Sequence, residues 1–170
     1  MEKYYGEKIK AIPMSDVEDW TNSNLDTLNK WSENVIGKLP YAGSMISDEL
    51  YLQSNAIQIG IISQLEYFLK SHNKITNQYE ILNVIKNSSL DDLEKDHLAF
   101  LFIVRHTLVH NGGHCDSKFF EDCKKHITKL KIENYKEGVL SSLSPDNLPL
   151  YIKWVKKLIE EIDGQKNLVK

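Results

Sequence analysis

The sequence predicts an all-α protein, an up-and-down bundle of five or six helices in one domain. Three observations carry this. Apolar residues recur at threes and fours through most of the chain, the spacing of one helix face. Capping residues open these runs, and Gly or Pro closes them. No alternating apolar–polar run is long enough to support a sheet. The 170 residues suit a single core. They divide into an N-terminal arm (1–14), a helical domain (15–164) and a short C-terminal tail (165–170).

The arm is expected to pack loosely through Tyr4, Tyr5 and Ile9 and to stop at Pro13. A first helix begins at Ser15, where Ser15 and Glu18 have capping-box spacing. Val17, Trp20, Leu28, Trp31 and Val35 form its inward stripe. Leu39-Pro40 ends it, because the residue before proline is driven out of the α region. Residues 41–44 read as a turn. A second, strongly apolar helix starts near Ser47 and runs to about Lys70, and a shorter pattern over 71–88 puts Tyr79, Leu82 and Ile85 on one side. Ser89 and Asp92 repeat the capping-box spacing and open a long segment that ends at Asn111. Phe119, Phe120, Cys123, Ile127 and Leu130 mark the next amphipathic helix. Residues 131–146 read as irregular, with room for a small hairpin between 130–132 and Val139-Leu140. A last helix follows Pro149, acceptable only in a first turn. It turns Tyr151, Ile152, Val155, Leu158, Ile159 and Ile162 inward, and is expected to end at Gly164.

The net charge is −3 and the pI about 6.1. No field of the whole molecule attracts nucleic acid, so any such contact needs a local basic patch. The N-terminus lacks the apolar core of a signal peptide, and no uncharged run reaches membrane-spanning length. A cytoplasmic location is expected, with Cys115 and Cys123 reduced.

Residues 98–113, LAFLFIVRHTLVHNGG, concentrate the chemistry. Seven apolar residues in succession describe a helix buried on all sides, and Gly112-Gly113 supplies the positive φ that commonly ends one. Arg105 and His106 are anomalous there, since such groups enter a core only when paired or used. His106 and His110 share a helix face. Arg105 diverges from His110 by roughly 140° on a straight helix, a gap that a long side chain, the loosened end or a second copy of the helix can bridge. These groups suit phosphoryl transfer without a metal. Arginine holds a phosphate with a permanently charged fork, and histidine exchanges protons near neutrality. In RNA the 2′-OH is already an internal nucleophile.

The run from Arg105 to His110 resembles the R-x4-H motif of HEPN-domain proteins, in which a polar residue commonly follows the arginine; His106 fills that place. The likeness extends over residues 15–163, with its specificity at 105–113. It implies an all-α HEPN-like bundle, a homodimer in which two motifs line one cleft, and a metal-independent endoribonuclease of a toxin–antitoxin or anti-phage system. Arg105 and His110 are then catalytic, with His106 and Asn111 supporting, and an antitoxin or regulatory protein is an implied partner. Some members carry a tyrosine two places after the motif histidine, a site of silencing by nucleotidyl transfer. This chain has Gly112 there.

Plainer readings stand beside these. Arg105 can be a structural cation paired with Glu66 or Asp48, His106 a satisfied core histidine, and Asn111 a helix C-cap. Lys124, Lys125 and Lys129 are candidates for RNA-backbone contacts, or else a solvated face. His106, His110, His114 and Cys115 lack the spacing of a zinc site, and neither a metal nor a cofactor is expected. A catalytically silent module that binds RNA, nucleotide or protein is the alternative function.

Overall fold

The computed structural model describes residues 16–39, 44–132, 135–137 and 143–167. The expected arm, Ser15 of the first capping box, Pro40, the turn at 41–43 and the Val139-Leu140 half of the hairpin lie outside them. The described residues form α1 (Val17–Lys38), α2 (Ser44–Ser71), α3 (Glu80–Asn87), α4 (Asp92–His110), α5 (Ser117–His126) and α6 (Leu148–Asn167), with a 3-10 turn at Pro145–Asn147 and no strand. The fold is an all-α bundle. Among the described residues, no helix is long and apolar enough to cross a membrane.

α1, α2 and α6 pack on one another, α2 and α6 also pack on α4, and α3 and α5 lie against α4. α4 is therefore central. Leu98 to Val104 are buried without a break, as a helix apolar all round requires. A fully buried side chain of this kind is worth about 1.5–3 kcal/mol, so this one segment anchors its neighbours. α1 and α2 approach closely at Gly60, where a Cβ would stand 3.0 Å from Leu28 Cδ2. In α6 all six expected inward residues are buried.

Several local expectations are corrected. The stripe of α1 is Val17, Thr21, Leu25, Leu28, Ser32 and Val35. Trp20 and Trp31 are 38% and 56% exposed. Trp20 instead meets Tyr67 of α2 on the surface, ring centroids 4.9 Å apart. Of the two small hydroxyl residues that take inner positions, Ser32 is satisfied by its own helix, its Oγ donating to the Asn29 carbonyl at 2.7 Å, whereas Thr21 Oγ1 is buried with no hydrogen-bond partner among the described residues. Tyr79 is also exposed, and Ile81, Leu82 and Ile85 form the inner face of α3.

The capping box before α4 belongs to Asp91 and Glu94, not to Ser89 and Asp92. Asp91 Oδ1 accepts from the Glu94 amide at 2.8 Å, and Glu94 Oε2 from the Asp91 amide at 3.1 Å. Ser89 is engaged elsewhere, its amide and hydroxyl both donating to Glu161 of α6. α2 begins three residues earlier than expected, and α6 continues past Gly164 to Asn167. Nothing lies within 4 Å of a Cβ at Gly164, so no close approach stops the helix there.

Candidate functional site at the end of α4

α4 leaves the core at Arg105. The helix is buried up to Val104. Arg105 and His106 are half-buried, while Val109 and His110 are exposed. The helix stops because the Asn111 and Gly113 amides both donate to the Thr107 carbonyl, at 2.9 and 3.0 Å. Gly112 and Gly113 have φ of 59° and 87°, a region costly for any residue with a Cβ.

Arg105 turns toward α2 and the start of α3. One terminal nitrogen donates to Gln78 Oε1 at 3.1 Å, and the other lies 3.5 Å from Glu66 Oε2. The Glu66 carboxylate is shared, because its other oxygen holds Lys70 Nζ at 2.6 Å. Arg105 Nε is buried with no hydrogen-bond partner among the described residues. The Arg105 side chain is 13% exposed and that of Glu66 16%, so the pair is largely withdrawn from water.

The two histidines contact each other. His106 and His110 have ring centroids 4.4 Å apart, as four-residue spacing on one face allows. Tyr79 flanks His106 at 5.6 Å, and Lys118 Nζ of α5 stands 5.5 Å from the Tyr79 ring centroid, within cation–π reach. Burial lowers the proton affinity of His106, helped by the neighbouring charges of His110, Lys118 and Arg105 and opposed by Asp122. A neutral imidazole at neutral pH follows. Its Nδ1 is buried and without a hydrogen-bond partner among the described residues.

Asn111 is the C-cap of α4. Its side-chain amide donates to Asp116 Oδ2 at 2.7 Å, while Asp116 Oδ1 accepts from the Phe119 amide at 2.8 Å and caps α5. Asn111 thus joins two helix ends. Lys124, Lys125 and Lys129 are all exposed; Lys125 lines a cleft between α3, α4 and α5. No group of three His, Cys, Asp or Glu side chains is gathered for a metal among the described residues.

Arg105, His106 and His110 thus sit within two helical turns, Arg105 held by Gln78 and Glu66 and the two histidines in contact with each other. Sequence reasoning offered Glu66 or Asp48 as a structural partner of Arg105, of which Glu66 is the one paired with it, and missed Gln78, Tyr79 and Lys118. Each of these lies on another element, and no local signal links it to the motif. Comparison of the chain with protein-family models, with curated proteins and with solved structures finds no match.

Proposed function

We propose that this chain is a metal-independent endoribonuclease of HEPN type, acting as a homodimer, with a role as a toxin or anti-phage effector. The observation that carries the reading is the ring contact between His106 and solvent-facing His110 at the end of α4, where Arg105 adjoins His106. An imidazole can accept or donate a proton near neutral pH. His110 serves as the general acid or base on the 2′-OH or the leaving oxygen, and His106 orients it. Arg105 holds the phosphate and the charge that develops on it. The 2′-oxygen gives up its proton and bonds to phosphorus, the bond to the 5′-oxygen breaks, and that oxygen takes a proton. The products are a 2′,3′-cyclic phosphate and a 5′-OH. A second copy of α4 supplies a second set of the same groups across a two-fold axis.

The test is cleavage of single-stranded RNA in EDTA by wild type, His110→Ala and Arg105→Lys, with melting curves as the fold control. Loss of a general acid–base group costs about 10²–10⁴-fold. A folded His110→Ala protein that cuts as fast as wild type rejects the reading. One observation favours the second reading, a silent binding module: Arg105 already holds Gln78 and Glu66 within its own chain. RNA binding by wild type with no cleavage establishes that reading instead.

A further inference from the structure

A cleft of about 280 Å³ opens between α3, the first turns of α4 and the end of α5. Lys86, Lys95, Lys125 and His126 line it, with Asp92 and Asp96 as the acidic members. Each of the three helices contributes at least one cation. Among the described residues, no carboxylate forms an ion pair with any of the three lysines. The Asp96 carboxylate is already committed, accepting from the backbone amides of Thr128, Lys129 and Leu130. Asp92 belongs to the first turn of α4, where a negative charge complements the helix dipole. Both carboxylates still count, and the three lysines outweigh them by one formal charge, on a chain whose net charge is −3. Like charges crowded round one space repel, and an anion entering it relieves that repulsion.

The cleft is aligned with the histidine pair. Lys95, Ala99, Phe102, His106 and His110 follow one another at threes and fours along a single stripe of α4. The same two helices flank both ends. α3 begins beside Arg105 and His106 through Gln78 and Tyr79 and reaches the cleft at Lys86. α5 acts on His106 through Lys118 and reaches the cleft at Lys125 and His126. Lys95 precedes His106 and His110 by 11 and 15 residues, about 16 and 22 Å along the axis at the rise of an α-helix. Phe102, between the two ends, is buried, so a ligand spanning them lies over the rims. Asp122, on the α5 rim, faces both His106 and His126.

We propose that the Lys86–Lys95–Lys125 cleft is a backbone-anchoring subsite for a single-stranded RNA whose reacting phosphate lies at His106 and His110. This rests on the ribonuclease reading and adds the path of the substrate to it. A strand presents phosphates at several points along its length, which suits two cationic centres on one helix stripe. Exposed Tyr79, with Lys118 over its ring, offers a base a stacking surface beside the histidines. An acidic protein segment fits the lysines but has no use for the aromatic face.

The experiment measures binding of a fluorescent, 2′-O-methylated single-stranded RNA, which lacks the nucleophilic hydroxyl and cannot be cut. The full chain is compared with the triple variant Lys86→Gln, Lys95→Gln, Lys125→Gln and with a control, Lys30→Gln, Lys38→Gln, Lys153→Gln, all checked by thermal melting. The cleft variant should weaken binding about tenfold or more and lower the salt dependence by roughly 2 in log–log slope, about 0.7 per lost contact. The control should change neither. Equal affinity and slope for the two triple variants overturn the subsite, as does a wild-type chain that binds no RNA. Competition by polyglutamate as effective as by RNA also overturns it, and assigns the cleft to an acidic protein. If the cleft variant loses binding while wild type leaves unmethylated RNA intact, the anchoring subsite stands and the nuclease reading falls.

Discussion

Asp96 offers the sharpest structural test. It lies in α4, is 3% exposed, and faces the segment that follows α5. One of its oxygens, Oδ2, accepts from the amides of Thr128 at 2.8 Å, Leu130 at 2.9 Å and Lys129. This carboxylate therefore stands in for the secondary structure that 128–130 lack. Replacing Asp96 by Ala leaves three backbone donors to find other partners. Each donor left unpaired in a buried place costs about 1–3 kcal/mol. Thr128 and Lys129 are solvent-exposed residues, so water recovers part of that, and a loss of about 3 kcal/mol is expected. Asp96→Asn keeps an oxygen in place but without charge, and its two lone pairs serve two of the three donors. A loss of about 1–2 kcal/mol is expected there. Urea unfolding followed by circular dichroism measures both. Amide exchange at 128–130 should lose its protection in the Ala variant first. A loss below about 1 kcal/mol for Asp96→Ala, with protection intact, would refute the view that this carboxylate holds the segment.

Other outcomes follow from the same geometry. Gly112→Ala meets no steric obstacle but inherits a φ of 59°; it should cost about 1–2 kcal/mol, read from the shift in urea midpoint, and a neutral result would refute the backbone argument. Gly60→Ala should change stability by less than about 1 kcal/mol, because the gain in helix propensity offsets the crowding of Leu28; Gly60→Val, bulkier at the same contact, should be clearly destabilising in the same assay. His97, His106 and His126 all have proton affinities lowered chiefly by burial. Their imidazoles should titrate by NMR with midpoints below about 6.5. Since the unfolded chain then binds more protons, these residues withdraw stability as the pH falls through about 6.5, and the loss is complete once the folded imidazoles are protonated. Midpoints at or above the unfolded value would contradict the burial.

Much of the bundle is readable from periodicity, because the central helices are apolar enough for burial to dominate. α4 is the clearest case: its apolar run fixes its depth, and the two glycines fix its end. The faces of α1 are less legible. Trp20 and Trp31 stand at helical spacing with Val17 and Val35, yet Thr21 and Ser32, one position later in each case, are the buried ones. A scale that ranks tryptophan above serine cannot see that a serine satisfied by its own helix packs more closely. The capping box slipped by two residues for a related reason. Ser89 and Asp92 match the pattern as well as Asp91 and Glu94 do, and what separates them is Glu161, 72 residues away. At the candidate site, the spacing of His106 and His110 predicts their shared face, and the ring contact agrees with it. Which way Arg105 turns is not a local property. It depends on Glu66 and Gln78, contributed by other parts of the chain.

Cys115 and Cys123 are each 1% exposed, and neither is in a disulfide. Burial raises the proton affinity of both and pushes the Cys123 thiol up to about 12. Because the thiolate is the reactive form, an alkylating reagent finds almost none to attack while α4 and α5 remain together. Labelling of these two sulfurs therefore acts as a clock for the parting of that corner, reporting how often α5 lifts away from α4 without any tag being added.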